Sequence, residues 1–158
     1  MGIEVKLQAM GYQLQAASNP QGSYTNCVRT GNLLYVSGKG PTVGLDTPPR
    51  GKLGREFSVE QGQQFARLTG LDILAAVKLE LGTLDRVTQV VKLQGFINAT
   101  EEFDAHPSVL NGCSDLFAEL FGPIGVHARS VFGAVSLRNQ LPLIIDSVFE
   151  FREVDEPG

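Results

Sequence analysis

The segment from Ser58 to Gly82 constrains the fold of this chain more than any other. Ser58-Val59-Glu60-Gln61 has the form of a capping box, in which serine and glutamine side chains satisfy backbone donors that a first helical turn leaves orphaned. Ala66, Ile73, Val77 and Leu81 then recur at helical intervals, Phe65, Leu68 and Leu74 widen the apolar face, and Gly82 supplies a stop. A helix of about six turns with one broad apolar face needs a sheet or another helix to cover it.

The rest of the chain supplies that cover. Val87 to Ile97 is rich in β-branched residues and reads as a strand, with Val91, Leu93, Gly95 and Ile97 on one side. A second helix begins at Pro107, buries Leu110, Cys113, Phe117 and Leu120, and ends at Gly122-Pro123. Upstream, Tyr24 to Arg29 and Leu33 to Ser37 flank the turn Thr30-Gly31-Asn32 and form a hairpin. Downstream, strands are expected over Ala128 to Leu137 and Leu143 to Phe151. The last alternates Leu143, Ile145, Phe149 and Phe151 against Ile144, Asp146, Val148 and Glu150. Gly38 to Glu56 lacks any sustained period and reads as a long surface loop of the kind that is often functional, with Arg50 to Arg55 around Lys52 as a solvated stretch.

This order, strand, strand, helix, strand, helix, strand, strand, predicts one α+β domain over residues 1–158. Both long helices lie on one face of a mixed sheet. Residues 1–21 form an N-terminal extension, with a short helix over Gly2 to Met10 stopped at Gly11 and a loop over Ser18 to Gly22. The second sheet face mixes Ile144 and Val148 with Asp146 and Glu150, which points to a subunit contact.

Composition narrows the function. Thirteen Lys and Arg against 17 Asp and Glu give a net charge of −4, and the basic residues are scattered, so a nucleic-acid partner is not expected. Cys27 and Cys113 make no disulfide framework, and His106 and His127 lack partners at metal-ligand spacing, so neither a metal nor another cofactor is expected. No apolar run reaches the ~18 residues of a membrane span. The first ten residues lack a signal-peptide core, which makes the cytoplasm the default location.

Several segments resemble the reactive intermediate deaminase (Rid) family, also known as YjgF or endoribonuclease L-PSP. They are Gly22-Ser23-Tyr24-Thr25-Asn26, Gly31-Asn32-Leu33-Leu34-Tyr35-Val36-Ser37-Gly38, Val90-Val91-Lys92 and Ala128-Arg129-Ser130. The likeness runs from about Gly22 to Phe151. The extended N-terminus and Asn111-Gly112-Cys113-Ser114-Asp115-Leu116 look like a divergent branch. The resemblance implies a chorismate-mutase-like fold, a homotrimer with a cleft at each subunit interface, and hydrolysis of reactive enamines and imines to ammonia and a 2-oxo acid.

Carried onto this sequence, the resemblance makes Arg129 the residue that holds a substrate carboxylate. A guanidinium suits that task because its planar fork donates two parallel hydrogen bonds; a surface arginine, or one paired across the trimer, is the alternative. Tyr24 matches a cleft tyrosine, or is ordinary core packing. Ser37 and Gly38 match a strand end beside the substrate, where glycine permits close approach, although a plain turn explains it too. Lys39 stands where the family often has glutamine, and either adds positive charge to the cleft or is solvated.

One departure matters. The place of the family's water-orienting glutamate is taken by Ile144, which cannot hold a water. Asp146 lies on the same strand face, displaced by about 6 to 7 Å. That is too far for direct replacement in an unchanged pose, since acid–base catalysis works near 3 Å or through one water. A larger substrate brings Asp146 within reach. The segment Leu137-Arg138-Asn139-Gln140 also departs from the family's leucine-proline.

Two readings follow. The first is hydrolysis of a small carboxylated imine, anchored by Arg129 and assisted by Asp146. The alternative is a non-catalytic trimer that binds small carboxylates as a sensor or scavenger, because Ile144 has replaced the glutamate. A ribonuclease is disfavoured by the acidic balance and by the lack of paired acid and base histidines.

Overall fold

The computed structural model describes residues 2–154. Ser58 caps α2 (Val59–Leu81) reciprocally: its hydroxyl accepts from the Gln61 amide at 3.2 Å, and its amide donates to Gln61 Oε1 at 2.9 Å. Gly82 closes the helix with φ 87°, a left-handed value suited to glycine. The second long helix, α3 (His106–Phe121), starts one residue before Pro107 and closes at Gly122.

Glycines let the two helices approach closely. A Cβ on Gly112 of α3 would collide with the Gln63 carbonyl of α2, while Gly62 faces Val109 and Gly70 faces Cys113. Ala66, Ile73, Leu74, Val77 and Leu81 of α2 and Leu110, Cys113, Phe117 and Leu120 of α3 are all buried. Cys113 is therefore a packing residue, and burial pushes its thiol pKa up.

The helices cover one face of a five-stranded sheet built from β1 (Cys27–Thr30), β2 (Leu33–Lys39), β3 (Val87–Asn98), β4 (Ala128–Ala134) and β5 (Leu143–Phe151). Its order is β1-β2-β5-β3-β4, and β3 and β4 alone among the neighbours run parallel, joined by the α3 crossover. Along β5, burial alternates residue by residue as the sequence pattern requires: Leu143, Ile145, Phe149 and Phe151 are in the core. The face without helices exposes Val28, Tyr35 and Phe132.

Four local expectations are corrected. Pairing of β3 with β5 shifts register between Val90 and Lys92. This bulge buries Val90 with Leu93 and turns Val91 toward the open face. β4 stops at Ala134 rather than Leu137, because the chain swings outward: Val135 is 91% exposed, and Asn139 and Gln140 take positive φ in the following turn. Tyr24 precedes β1, with its amide donating to the Gly22 carbonyl. Within the Arg50 to Arg55 stretch, Arg50 and Arg55 are exposed as expected, but Gly51 to Leu53 is docked. Leu53 is fully buried and bridges to Phe57 and Ala99, and the Lys52 ammonium donates to Asn98 Oδ1 at 2.6 Å and to the Val135 carbonyl.

The extension is also anchored. The short helix α1 (Ile3–Ala9) buries Leu7, and Glu4 accepts from the Leu84 amide at 2.6 Å.

Candidate functional site

The open sheet face forms a hollow of about 960 Å³ whose lining includes Tyr24, Ser37, Gly38, Arg138, Ile144 and Asp146. Four of the residues singled out in the sequence therefore meet here: Tyr24, Ser37, Gly38 and Asp146. The register of β5 puts Ile144 and Asp146 on the same face, Asp146 opposite Gln94 of β3 and Ile144 opposite Phe96. Burial raises the Asp146 pKa above the ordinary carboxylate range, and the positive charge of Lys92 opposes that shift.

Ser37 and Tyr24 have local partners. The Ser37 hydroxyl donates to the Thr25 carbonyl at 2.6 Å, and the Tyr24 hydroxyl accepts from the Gln21 amide at 3.1 Å. These bonds hold the lead-in to β1 against the end of β2. Gly38 is needed for a contact within the chain: a Cβ there would lie 2.9 Å from Ile144 Cγ2. The isoleucine thus occupies the space beside the glycine backbone.

Lys39 lies elsewhere. It is 4% exposed, and its ammonium donates to Ser18 Oγ at 2.9 Å, to the Ser18 carbonyl at 3.0 Å and to Asn26 Oδ1 at 2.7 Å. Ser18 in turn binds buried Asp72 through its hydroxyl at 2.6 Å and its amide at 2.9 Å. Burial lowers the Lys39 pKa, and Asp72 opposes the shift. The expected alternatives for Lys39, cleft cation or solvated side chain, are both replaced by a structural tie between the extension, β2 and α2. The nearby Cys27 thiol is pushed up to about 11, first by burial and then by Glu80, which leaves little reactive thiolate at neutral pH.

Arg129 is apart from the hollow. On β4 it pairs in register with Leu93, a core residue, so its side chain leaves the sheet on the helix side. There Nη1 donates to Ser114 Oγ at 3.0 Å and Nη2 to the Pro107 carbonyl at 3.3 Å. Among the described residues no carboxylate forms a salt bridge with it. β5 and β3 separate β4 from β2, which puts about 14 Å of sheet between Arg129 and the Ser37–Gly38 end. Within one chain the guanidinium and the hollow do not face each other.

Two neighbours of Arg129 escaped sequence reasoning. Ser114 Oγ lies 2.9 Å from His127 Nε2, and His127 Nδ1 lies 2.7 Å from the Gly125 carbonyl. Ser114 sits in the unusual Asn111-Gly112-Cys113-Ser114-Asp115-Leu116 segment and His127 directly precedes Ala128-Arg129, so both were visible as oddities. Their meeting depends on α3 packing beside the start of β4, which no local pattern encodes. Arg138, from the Leu137-Arg138-Asn139-Gln140 segment noted in the sequence, stands at the rim of the hollow.

Comparison with known proteins bears on the family and the fold. Residues 4–149 match the family model described as "YjgF/chorismate mutase-like, putative endoribonuclease". The chain is 36% identical to Protein TCP17 of Trypanosoma cruzi, over 94% of its own length and 93% of the relative's. Protein Atu1372 of Agrobacterium tumefaciens, a crystal structure of unknown function, superimposes with a TM-score of 0.87 at 37% identity, covering 95% of this chain and 92% of that one. E. coli TdcF with bound serine shares the fold at a TM-score of 0.59 and 21% identity, over 89% and 97% of the two chains. With nearly its whole length matched and the five-stranded, helix-backed sheet in place, this chain belongs to the YjgF/endoribonuclease L-PSP family, the Rid family.

Proposed function

We propose that this protein hydrolyses a small imine or enamine that carries a carboxylate, in a site assembled from two copies of the chain. The observation that carries this reading is the Arg129 guanidinium, half-buried, held by α3 and without a carboxylate of its own among the described residues. A cation so placed suits an external anion. The open face of the sheet supports the second copy: exposed Val28, Tyr35 and Phe132 beside Ile144 and Val148 form an apolar surface that a subunit contact would cover. A neighbour's β4 edge seated there would bring its Arg129 toward the hollow.

In this reaction an enamine first takes a proton on its terminal carbon and loses one from nitrogen to become the imine. Water then adds to the C=N carbon, nitrogen takes protons and leaves as ammonia, and a 2-oxo acid remains. Arg129 holds the carboxylate. With the substrate shifted along β5 so that its reacting carbon lies beside Asp146 instead of Ile144, the ionised Asp146 accepts a proton from the attacking water, and Tyr24 and Ser37 shape the pocket. TdcF with its bound serine supports a small amino-acid-like carboxylate as the ligand class.

Ammonia release from 2-aminoacrylate or 2-iminobutanoate, coupled to detection of pyruvate or 2-oxobutanoate, tests this reading. Because the base must be ionised, turnover falls as pH drops through the Asp146 pKa. Burial raises that pKa, so the acid limb lies above the ordinary aspartate range. Asp146→Asn removes the limb together with most of the activity. An acid limb that survives this substitution rules out Asp146 as the base.

The contact between Ile144 and Gly38 favours a second reading, a carboxylate-binding protein without turnover. On that reading 2-oxobutanoate binds, imines are not hydrolysed, and Ile144→Glu gains deaminase activity that the parent lacks. A parent that already turns over imines, and an Ile144→Glu variant no faster, counts against it.

A further inference from the structure

Arg129, Ser114, His127 and the Gly125 carbonyl form one hydrogen-bonded chain, with successive distances of 3.0, 2.9 and 2.7 Å. Its ends fix its direction, because a guanidinium only donates and a carbonyl only accepts. Ser114 therefore accepts from Arg129, and beside a neutral ring its hydroxyl donates to His127 Nε2. His127 carries its proton on Nδ1 and donates it to Gly125. A neutral imidazole with this tautomer makes every link; a charged ring would make them as well, with Ser114 Oγ accepting from both neighbours, so the charge state of the ring selects between the two.

Burial lowers the His127 pKa, with the Arg129 charge acting in the same sense and the Gly125 bond opposing, so the ring is neutral near pH 7. Phe117 of α3 packs against the ring in a T-shaped arrangement, at 6.5 Å between centroids. At the other end, Ser114 and the Pro107 carbonyl engage two of the five guanidinium donors, and both come from α3. The remaining donors have no partner among the described residues. Unrestrained, an arginine has many rotamers, and freezing them on binding costs affinity. Here the freezing is done beforehand.

We propose that Ser114 and His127 are positioning residues: Ser114 aims the Arg129 guanidinium at the substrate carboxylate, and His127 holds the Ser114 hydroxyl in the accepting orientation. This inference rests on Arg129 being the anion anchor. Neither residue touches the reacting atoms, so their removal weakens binding of substrate and transition state alike.

Calorimetric titration of the full chain with 2-oxobutanoate tests it, alongside imine turnover and 15N NMR of the His127 ring. Ser114→Ala is expected to raise Kd and KM about tenfold with kcat little changed, whereas Ser114→Thr, which keeps the hydroxyl, stays near wild type. His127→Phe, which keeps the ring packing, gives the same loss, and it carries the test if Ser114→Ala does not fold. The wild-type ring shows the Nδ1–H tautomer held by the Gly125 carbonyl, and Ser114→Ala keeps that tautomer but shifts the Nε2 resonance as its hydrogen bond is lost. If Arg129→Ala abolishes binding while Ser114→Ala and His127→Phe bind as wild type, the positioning role is overturned and the anchor stands. If the wild type does not bind, or binds no better than Arg129→Ala, the anchor fails and the positioning role fails with it.

Discussion

Replacing Gly112 by alanine lowers the melting temperature by about 6–12 °C, the equivalent of about 3 kcal/mol in a domain of this size. Helix propensity alone argues the opposite sign, since alanine is favoured over glycine inside a helix by about 1 kcal/mol. The geometry of the helix pair decides between them. The added methyl would run into the Gln63 carbonyl, which is backbone and has no rotamer to escape into. Accommodating it forces α3 away from α2, and the separation loosens Cys113 against Gly70 and Val109 against Gly62. Thermal unfolding followed by circular dichroism measures the shift. A melting temperature that is unchanged or raised would mean the helices have slack at this crossing.

Arg129→Ala lowers kcat/KM for the carboxylated imine by about 100-fold or more, about 2.7 kcal/mol, and removes measurable binding of 2-oxobutanoate. Arg129→Lys recovers only part of this. An ammonium supplies a point charge but not the fork that engages Ser114 and Pro107 while presenting further donors to a carboxylate. Stability changes little in either variant, because Arg129 makes no salt bridge among the described residues and is half-exposed. The pairing of lost binding with retained folding distinguishes an anchor from a structural arginine.

How much of this was legible in the sequence differs by level. Both long helices were readable because their ends carry local chemistry: the Ser58–Gln61 box, and the glycines at 82 and 122. β5 was readable because one of its faces is wholly buried, so polarity alternates without interruption. β3 was misread at Val91 because a bulge resets the period, and nothing local marks it. Lys39 was misplaced because its burial depends on Ser18, Asn26 and Asp72, acceptors drawn from distant segments. The candidate site residues came from resemblance, yet their division between two faces of the sheet depends on strand order and register. Arg129 and Gly38 are three strands apart, and no spacing along the chain reveals it.

That division makes the second copy essential to the proposed chemistry. A crystal structure of the protein grown with 2-oxobutanoate is the most direct measurement. The expected result is a carboxylate on the fork of Arg129 from one protomer, with the keto carbon over Tyr24 and Asp146 of an adjacent one. An Arg129 turned to bulk solvent, far from any neighbour's hollow, or a ligand seated in the hollow with no arginine near it, would contradict the proposed site.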